Sequence, residues 1–155
     1  MEEDVNEFLA ALERDNGGPI QLKTYGLWLG SNTAPGQPEV GGLLYVIQDR
    51  LFFEDFEKQA GLLGLIVPKS KKNRYVKFKT SIDIHTIEQI SCIRIKHARQ
   101  MVTRNFPENF PVVPLQGFWQ KLFQTALYIR TSEGTVWLLD VFDIKLITEF
   151  MEGHA

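Results

Sequence analysis

The sequence predicts an α+β domain in which an antiparallel sheet of about seven strands lies between a helix near the N-terminus and a closing helix near the C-terminus. Three observations lead there. The stretch Leu43–Glu57, LLYVIQDRLFFEDFE, sets two β-rich apolar runs on either side of a short polar break at Gln48-Asp49, the pattern of a hairpin. A second pair of runs, Thr125–Thr131 and Thr135–Leu139, encloses Ser132-Glu133-Gly134, where the glycine supplies the backbone angle of a tight turn. Both ends of the chain instead carry apolar residues at helical spacing.

The elements follow in order. Val5, Phe8, Leu9 and Leu12 share one helical face, and Glu2, Glu3 and Asp4 suit the electropositive start, so a helix is predicted over 3–14. Asn16-Gly17-Gly18-Pro19 ends it, and its apolar stripe is expected to pack on the domain, because short helices seldom persist alone. Ile20–Leu29 reads as the first strand and residues 30–38, GSNTAPGQP, as loop. In the central hairpin Gln48-Asp49 is a weaker turn signal than Asn-Gly, so the register must come from burial of the strands themselves. Residues 58–68, KQAGLLGLIVP, are apolar and broken by glycines, and they run directly into Lys69-Ser70-Lys71-Lys72-Asn73-Arg74. Tyr75–Lys79 alternates apolar with basic and reads as a strand with one wet, positive face.

Ile82–His85 and Ser91–Lys96 also alternate and read as two strands, with a turn around Ile87 and Ile90 between them. Arg94, Lys96, His97, Arg99 and Arg104 make a second basic group, expected on one face near Lys96. Asn105–Trp119 has three prolines and no period, so an ordered loop is expected there, either closing an open end of the sheet or presenting its aromatics to a partner. Asp143 can cap the closing helix, with Leu146, Ile147, Phe150 and Met151 on one face and Gly153 at its end.

Gly42, Leu43, Leu44 and Tyr45, then Gln48-Asp49, then Arg50, Leu51, Phe52 and Phe53 resemble the hairpin of GRAM and pleckstrin-homology-like domains. There a small residue and Leu-Tyr precede a polar turn, Arg-Leu and aromatics. The order of elements from Ile20 to Gly153 is similar as well, including the Ile87 and Ile90 pair. The resemblance implies a strongly bent sheet, or partly open barrel, capped by the closing helix, and a module that binds lipid, peptide or protein without catalysis. Phosphoinositide-binding members carry several cations on the first strand and its loop, because phosphate needs converging donors. Here Lys23 stands alone and loop 30–38 has no Lys or Arg. The closing helix lacks the Trp frequent in pleckstrin-homology domains, which makes a GRAM-like or bacterial relative the better comparison.

A chain of 155 residues suits one domain, 1–155, with a helical extension over 1–18 and a core over 20–153. A net charge of −2 gives no overall attraction to nucleic acid, so any electrostatic role is local. Cys92 is the single cysteine, which excludes an internal disulfide and suits a reducing compartment. The acidic start and the absence of a long apolar run point to a cytoplasmic protein without a transmembrane segment. His85, Cys92, His97 and His154 lack metal-ligand spacing, no nucleophile motif appears, and no cofactor is expected. Glu54, Asp55 and Glu57 read as a solvated strand end rather than as acid and base.

Function is therefore expected from binding. In the leading reading Lys69, Lys71, Lys72 and Arg74 meet an anionic phospholipid surface while Leu62, Leu63, Leu65 and Ile66 enter the interface, because apolar residues beside a cation cluster are what a peripheral membrane loop needs. The plainer reading of the same stretch is core residues followed by a solvated turn. The alternative function is protein interaction or assembly, through an exposed sheet edge or through Phe106, Phe110, Phe118 and Trp119.

Overall fold

The computed structural model describes residues 2–56 and 77–154. Helix α1 (Glu2–Asn16) leads into β1 (Leu22–Ser31), β2 (Val40–Ile47) and β3 (Arg50–Asp55). There follow β4 (Lys79–Asp83), a 3-10 turn (Ile84–Thr86), β5 (Ile87–Arg94), α2 (Ile95–Thr103) and α3 (Phe118–Leu122). The chain closes with β6 (Thr125–Thr131), β7 (Val136–Val141) and α4 (Ile144–Glu152). The seven strands form one antiparallel sheet in the order β4-β3-β2-β1-β7-β6-β5. It is not closed: β4 and β5 are its two outer strands. Strand β1 is the seam, pairing β2 on one side and β7 on the other.

Alternation along the strands divides the buried residues between two faces. On one face Trp28, Leu44, Leu51, Ile82, Leu127 and Leu139, from six different strands, meet in a single cluster that Ile147 of α4 completes. The other face splits into two separate clusters. Leu43, Tyr45, Ile47 and Phe52 lie under Leu12 of α1, while Ile93, Ala126, Tyr128 and Leu138 lie under Ile95, Ala98 and Met101 of α2. One united inner face and two disjoint outer faces are what bending a sheet around its own core produces.

The central hairpin forms as expected, with Leu44 opposite Phe53 on the inner face and Tyr45 opposite Phe52 on the outer, their rings stacked at 5.0 Å. Gln48 and Asp49 both adopt positive φ, 47° and 63°, the primed geometry that fits the twist of a two-residue hairpin. Gln48 Nε2 donates to the Gly17 carbonyl at 2.5 Å, so the turn is also tied to the end of α1.

Four expectations are corrected. Ile87–Ile90 belongs to β5, and the break falls earlier, at the 3-10 turn, where the Asp83 carboxylate accepts from the His85 N–H at 2.9 Å. The strand thought to reach Lys96 ends at Arg94; Ile95, Ala98 and Met101 recur every third residue and are buried together, so the chain turns helical to bury them. The basic group Lys96, His97 and Arg99 thus rides on α2, not on a strand face, with Arg104 as the residue that ends it. Of the strand predicted over 75–79, Lys79 lies in β4 and Lys77 and Phe78 precede that strand, while Tyr75 and Val76 lie outside the described residues.

The closing helix agrees with expectation at its start, where Asp143 Oδ1 accepts from the Leu146 N–H at 3.0 Å, and Gly153 follows its last turn. Of its predicted apolar face, Ile147 is fully buried whereas Leu146 is exposed. No helix among the described residues is long and apolar enough to cross a membrane.

Candidate functional site

One end of the sheet gathers large apolar side chains that the core does not use. The Phe142 N–H donates to the Tyr25 carbonyl at 2.9 Å, which continues the register that sets Gly26 opposite Val141. Tyr25 and Phe142 are therefore cross-strand partners on one face. Both stand in water, 52% and 88% exposed. Phe142 directly precedes the capping residue of α4, a position whose apolar side chain often packs back onto the helix; at this exposure it does not. The Tyr25 ring also lies 5.5 Å from that of Phe56, the last described residue before the 57–76 connection.

Helix α3 arrives at the same end. The β6–β7 register sets Leu127 opposite Leu139, and carried on by two residues it sets Thr125 opposite Val141. The chain leaving α3 thus enters β6 beside the point where β7 finishes. Gly117, at φ 57°, turns the loop into the helix, which is 5 residues long and buries none of them. Phe118, Trp119 and Leu122 are 66%, 55% and 55% exposed. Trp119 meets Phe118 edge-on at 5.9 Å and stacks on Phe123 at 6.3 Å, and the Arg94 guanidinium sits 4.1 Å from the Phe123 ring centre. Behind the rings the segment is fixed by backbone bonds: Leu115 N–H to the Cys92 carbonyl at 2.7 Å and Ile95 N–H to the Gln124 carbonyl at 2.9 Å.

The base of the 57–76 connection is equally well held. Asp55 N–H donates to the Phe78 carbonyl at 3.1 Å, and the Phe78 N–H returns a bond to the Asp55 carboxylate. Glu54 accepts from Lys77 Nζ at 2.8 Å and from the Tyr45 hydroxyl at 3.3 Å, with Lys79 Nζ at 3.4 Å. Glu54 and Asp55 are buried, which corrects the expectation of a solvated strand end: Lys77, Lys79 and Tyr45 enclose the first and the returning Phe78 backbone engages the second. Burial, and then the neighbouring Glu54 carboxylate, push the Tyr45 phenol well above its ordinary value.

Of the residues singled out from sequence, Phe118 and Trp119 are brought together on the surface. Phe106 and Phe110 are not with them; they are half-buried against the cluster under α2, so the expected four-ring patch divides into a packed pair and an exposed pair. Lys69, Lys71, Lys72, Arg74, Leu62, Leu63, Leu65 and Ile66 lie outside the described residues. Tyr25, Leu122 and Phe142 went unread as site residues. Phe142 had a signal, an aromatic residue placed between a strand and a helix cap with no period to bury it.

A separate cleft of about 440 Å³ opens between β4 and the β6–β7 turn, lined by Arg50, Ser81, Asp83, Thr131, Glu133 and Thr135 among others. Arg50 Nη2 donates to Ser81 Oγ at 2.8 Å, and Asp83 is engaged in the 3-10 cap. Among the described residues no group of three or more His, Cys, Asp or Glu is placed to hold a metal ion.

No protein-family model and no curated protein matches the chain. Among solved structures it is similar to the C-terminal domain of an unknown protein from Leishmania infantum, at 12% identity and a TM-score of 0.48, over 96% of this chain and 94% of the other.

Proposed function

We propose that the protein is a non-catalytic binding module of the pleckstrin-homology-like or GRAM-like kind, which docks reversibly from the cytoplasm on an anionic membrane surface. The strand order, with a helix closing the inner core after the last strand, supports the first part. The second part is carried by one observation: the 57–76 connection is rooted in a clamped base beside exposed Tyr25 and Phe142. That connection holds five cations, Lys58, Lys69, Lys71, Lys72 and Arg74, against one anion, Glu57, in a chain of net charge −2. Lys69, Lys71, Lys72 and Arg74 would meet headgroups, and Leu62, Leu63, Leu65 and Ile66 would enter the interface. At about 1 kcal/mol per cation near such a surface, the four give binding that is reversible and sensitive to salt.

Sedimentation with anionic and with neutral liposomes, at low and moderate salt, tests this. The wild type is expected to pellet with anionic liposomes only, less so as salt rises, and the triple variant K69E/K71E/K72E to stay in solution. Failure of the wild type to bind either liposome sinks the proposal. The second reading, a protein-interaction module acting through Phe118 and Trp119, then takes its place, because these rings are exposed whatever their partner.

A further inference from the structure

We infer that α3 is a second membrane-insertion element, with Phe118, Trp119 and Leu122 entering the interfacial layer of an anionic bilayer while Lys121 and Arg94 remain at headgroup level. This rests on the membrane reading above and adds a contact separate from residues 62–74.

Four features support it. First, the helix has no packing role: none of its five residues is buried, and the backbone bonds that fix the segment lie behind the rings. Second, its composition suits the interface, where Trp sits at headgroup level, Phe and Leu enter the acyl boundary, and Lys extends its stem along apolar surface to keep its charge in water. Lys is depleted at protein–protein interfaces, which makes Lys121 between Trp119 and Leu122 a poorer fit to a protein partner. Third, the charge is complementary: residues 94–124 contain Arg94, Lys96, Arg99, Arg104 and Lys121 against Glu108 alone, and although Arg99 is paired with Glu39 at 3.0 Å, the excess of cations remains. Fourth, the register places Phe142 and Tyr25 at the same end, so the apolar surface continues from α3 toward the root of the 57–76 connection.

The molecule carries its own probe. Of its three tryptophans, Trp28 and Trp137 are 0% and 1% exposed, leaving Trp119 as the one in contact with solvent. The 155-residue chain is titrated with vesicles of phosphatidylcholine and phosphatidylserine, with and without brominated acyl chains, while sedimentation is followed in parallel. The expected result is a blue shift of emission on binding and quenching by the brominated lipid, both lost in Trp119→Phe. The double variant Phe118→Ser/Leu122→Ser, which alters only exposed side chains, is expected to bind about 10-fold more weakly, the scale set by removing buried apolar area from the interface.

Wild-type protein that pellets with vesicles yet shows neither shift nor quenching overturns the role of α3 and leaves the membrane reading standing. So does a double variant that binds like the wild type. Absence of pelleting removes both. A Trp119 shift that depends on protein concentration without vesicles assigns the patch to a protein contact and overturns the inference. The fluorescence readout uses the unmodified chain, so it decides the matter even where a variant folds poorly.

Discussion

Gly42 stands in β2 where an added Cβ would collide with the Glu54 carbonyl and approach Phe53 Cζ at 2.6 Å, so any side chain there forces β2 and β3 apart. Gly42→Ala is expected to destabilise the fold by about 1–3 kcal/mol, read as a lower urea midpoint with an unchanged slope. The small residue at this place was legible in the sequence; the reason for it, a ring of the facing strand filling its space, was not. Tyr45 gives a prediction in pH. Its phenol titrates above the ordinary value of 10.0 in the folded chain, because burial and Glu54 disfavour the anion. The stability this brings is complete below pH 10 and is lost as pH rises from there toward the folded value. Urea midpoints should therefore fall above pH 10, and Tyr45→Phe, with no phenol to ionise, should flatten part of that fall. Burial also raises Tyr128, so some slope remains in the variant. The burial of Glu54 and Asp55 was illegible for a related reason: alternation sends the two carboxylates to opposite faces, but does not show that the returning limb at Lys77–Lys79 will supply partners to both.

Among the elements, α4 was the most legible, since the Asp143 cap, buried Ile147 and terminal Gly153 fall where the sequence sets them, although Leu146 turns out exposed. Asp143→Ala removes the bond to the Leu146 N–H and is expected to cost about 1 kcal/mol, measured by urea denaturation, because the helix that loses its cap also covers the inner core through Ile147. Both hairpins were legible too, the second through Gly134 at φ 87° and the first through strand burial strong enough to hold Gln48 and Asp49 at positive φ. Helix α2 was the principal miss. The run Ile93-Arg94-Ile95-Lys96 alternates like a strand, and a period of two cannot show where pairing stops. That depends on β6, whose Thr125 pairs with Arg94 and leaves Ile95 without a strand partner. The exposed helix α3 was half legible: its aromatic residues stood out, but Phe106 and Phe110 in the same stretch pack under α2, and only three-dimensional placement separates the two pairs.

At the scale of the whole molecule, charge is distributed unevenly. Segments 57–76 and 94–124 together hold ten of the 17 cations and two of the 19 anions, so the remaining residues carry seven cations against 17 anions, a net charge of −10. With charge so divided along the chain, the association rate with anionic vesicles is expected to fall as the screening length shortens from about 30 Å at 0.01 M salt to about 10 Å at 0.1 M. Stopped-flow mixing at the two ionic strengths checks this, and a rate indifferent to salt would exclude electrostatic steering. The division is visible in the sequence; the strand order is not, because the pairing of β1 with β7 leaves no local mark. That pairing has a consequence for biosynthesis. Gly26 meets Val141, 115 positions later, so on the ribosome the first strand is made long before its second neighbour exists. At 5–20 residues per second the wait lasts roughly 6–23 s. Throughout it the β7-facing edge of β1 lacks its partner, and an unpaired edge of that kind is a template on which another chain can pair.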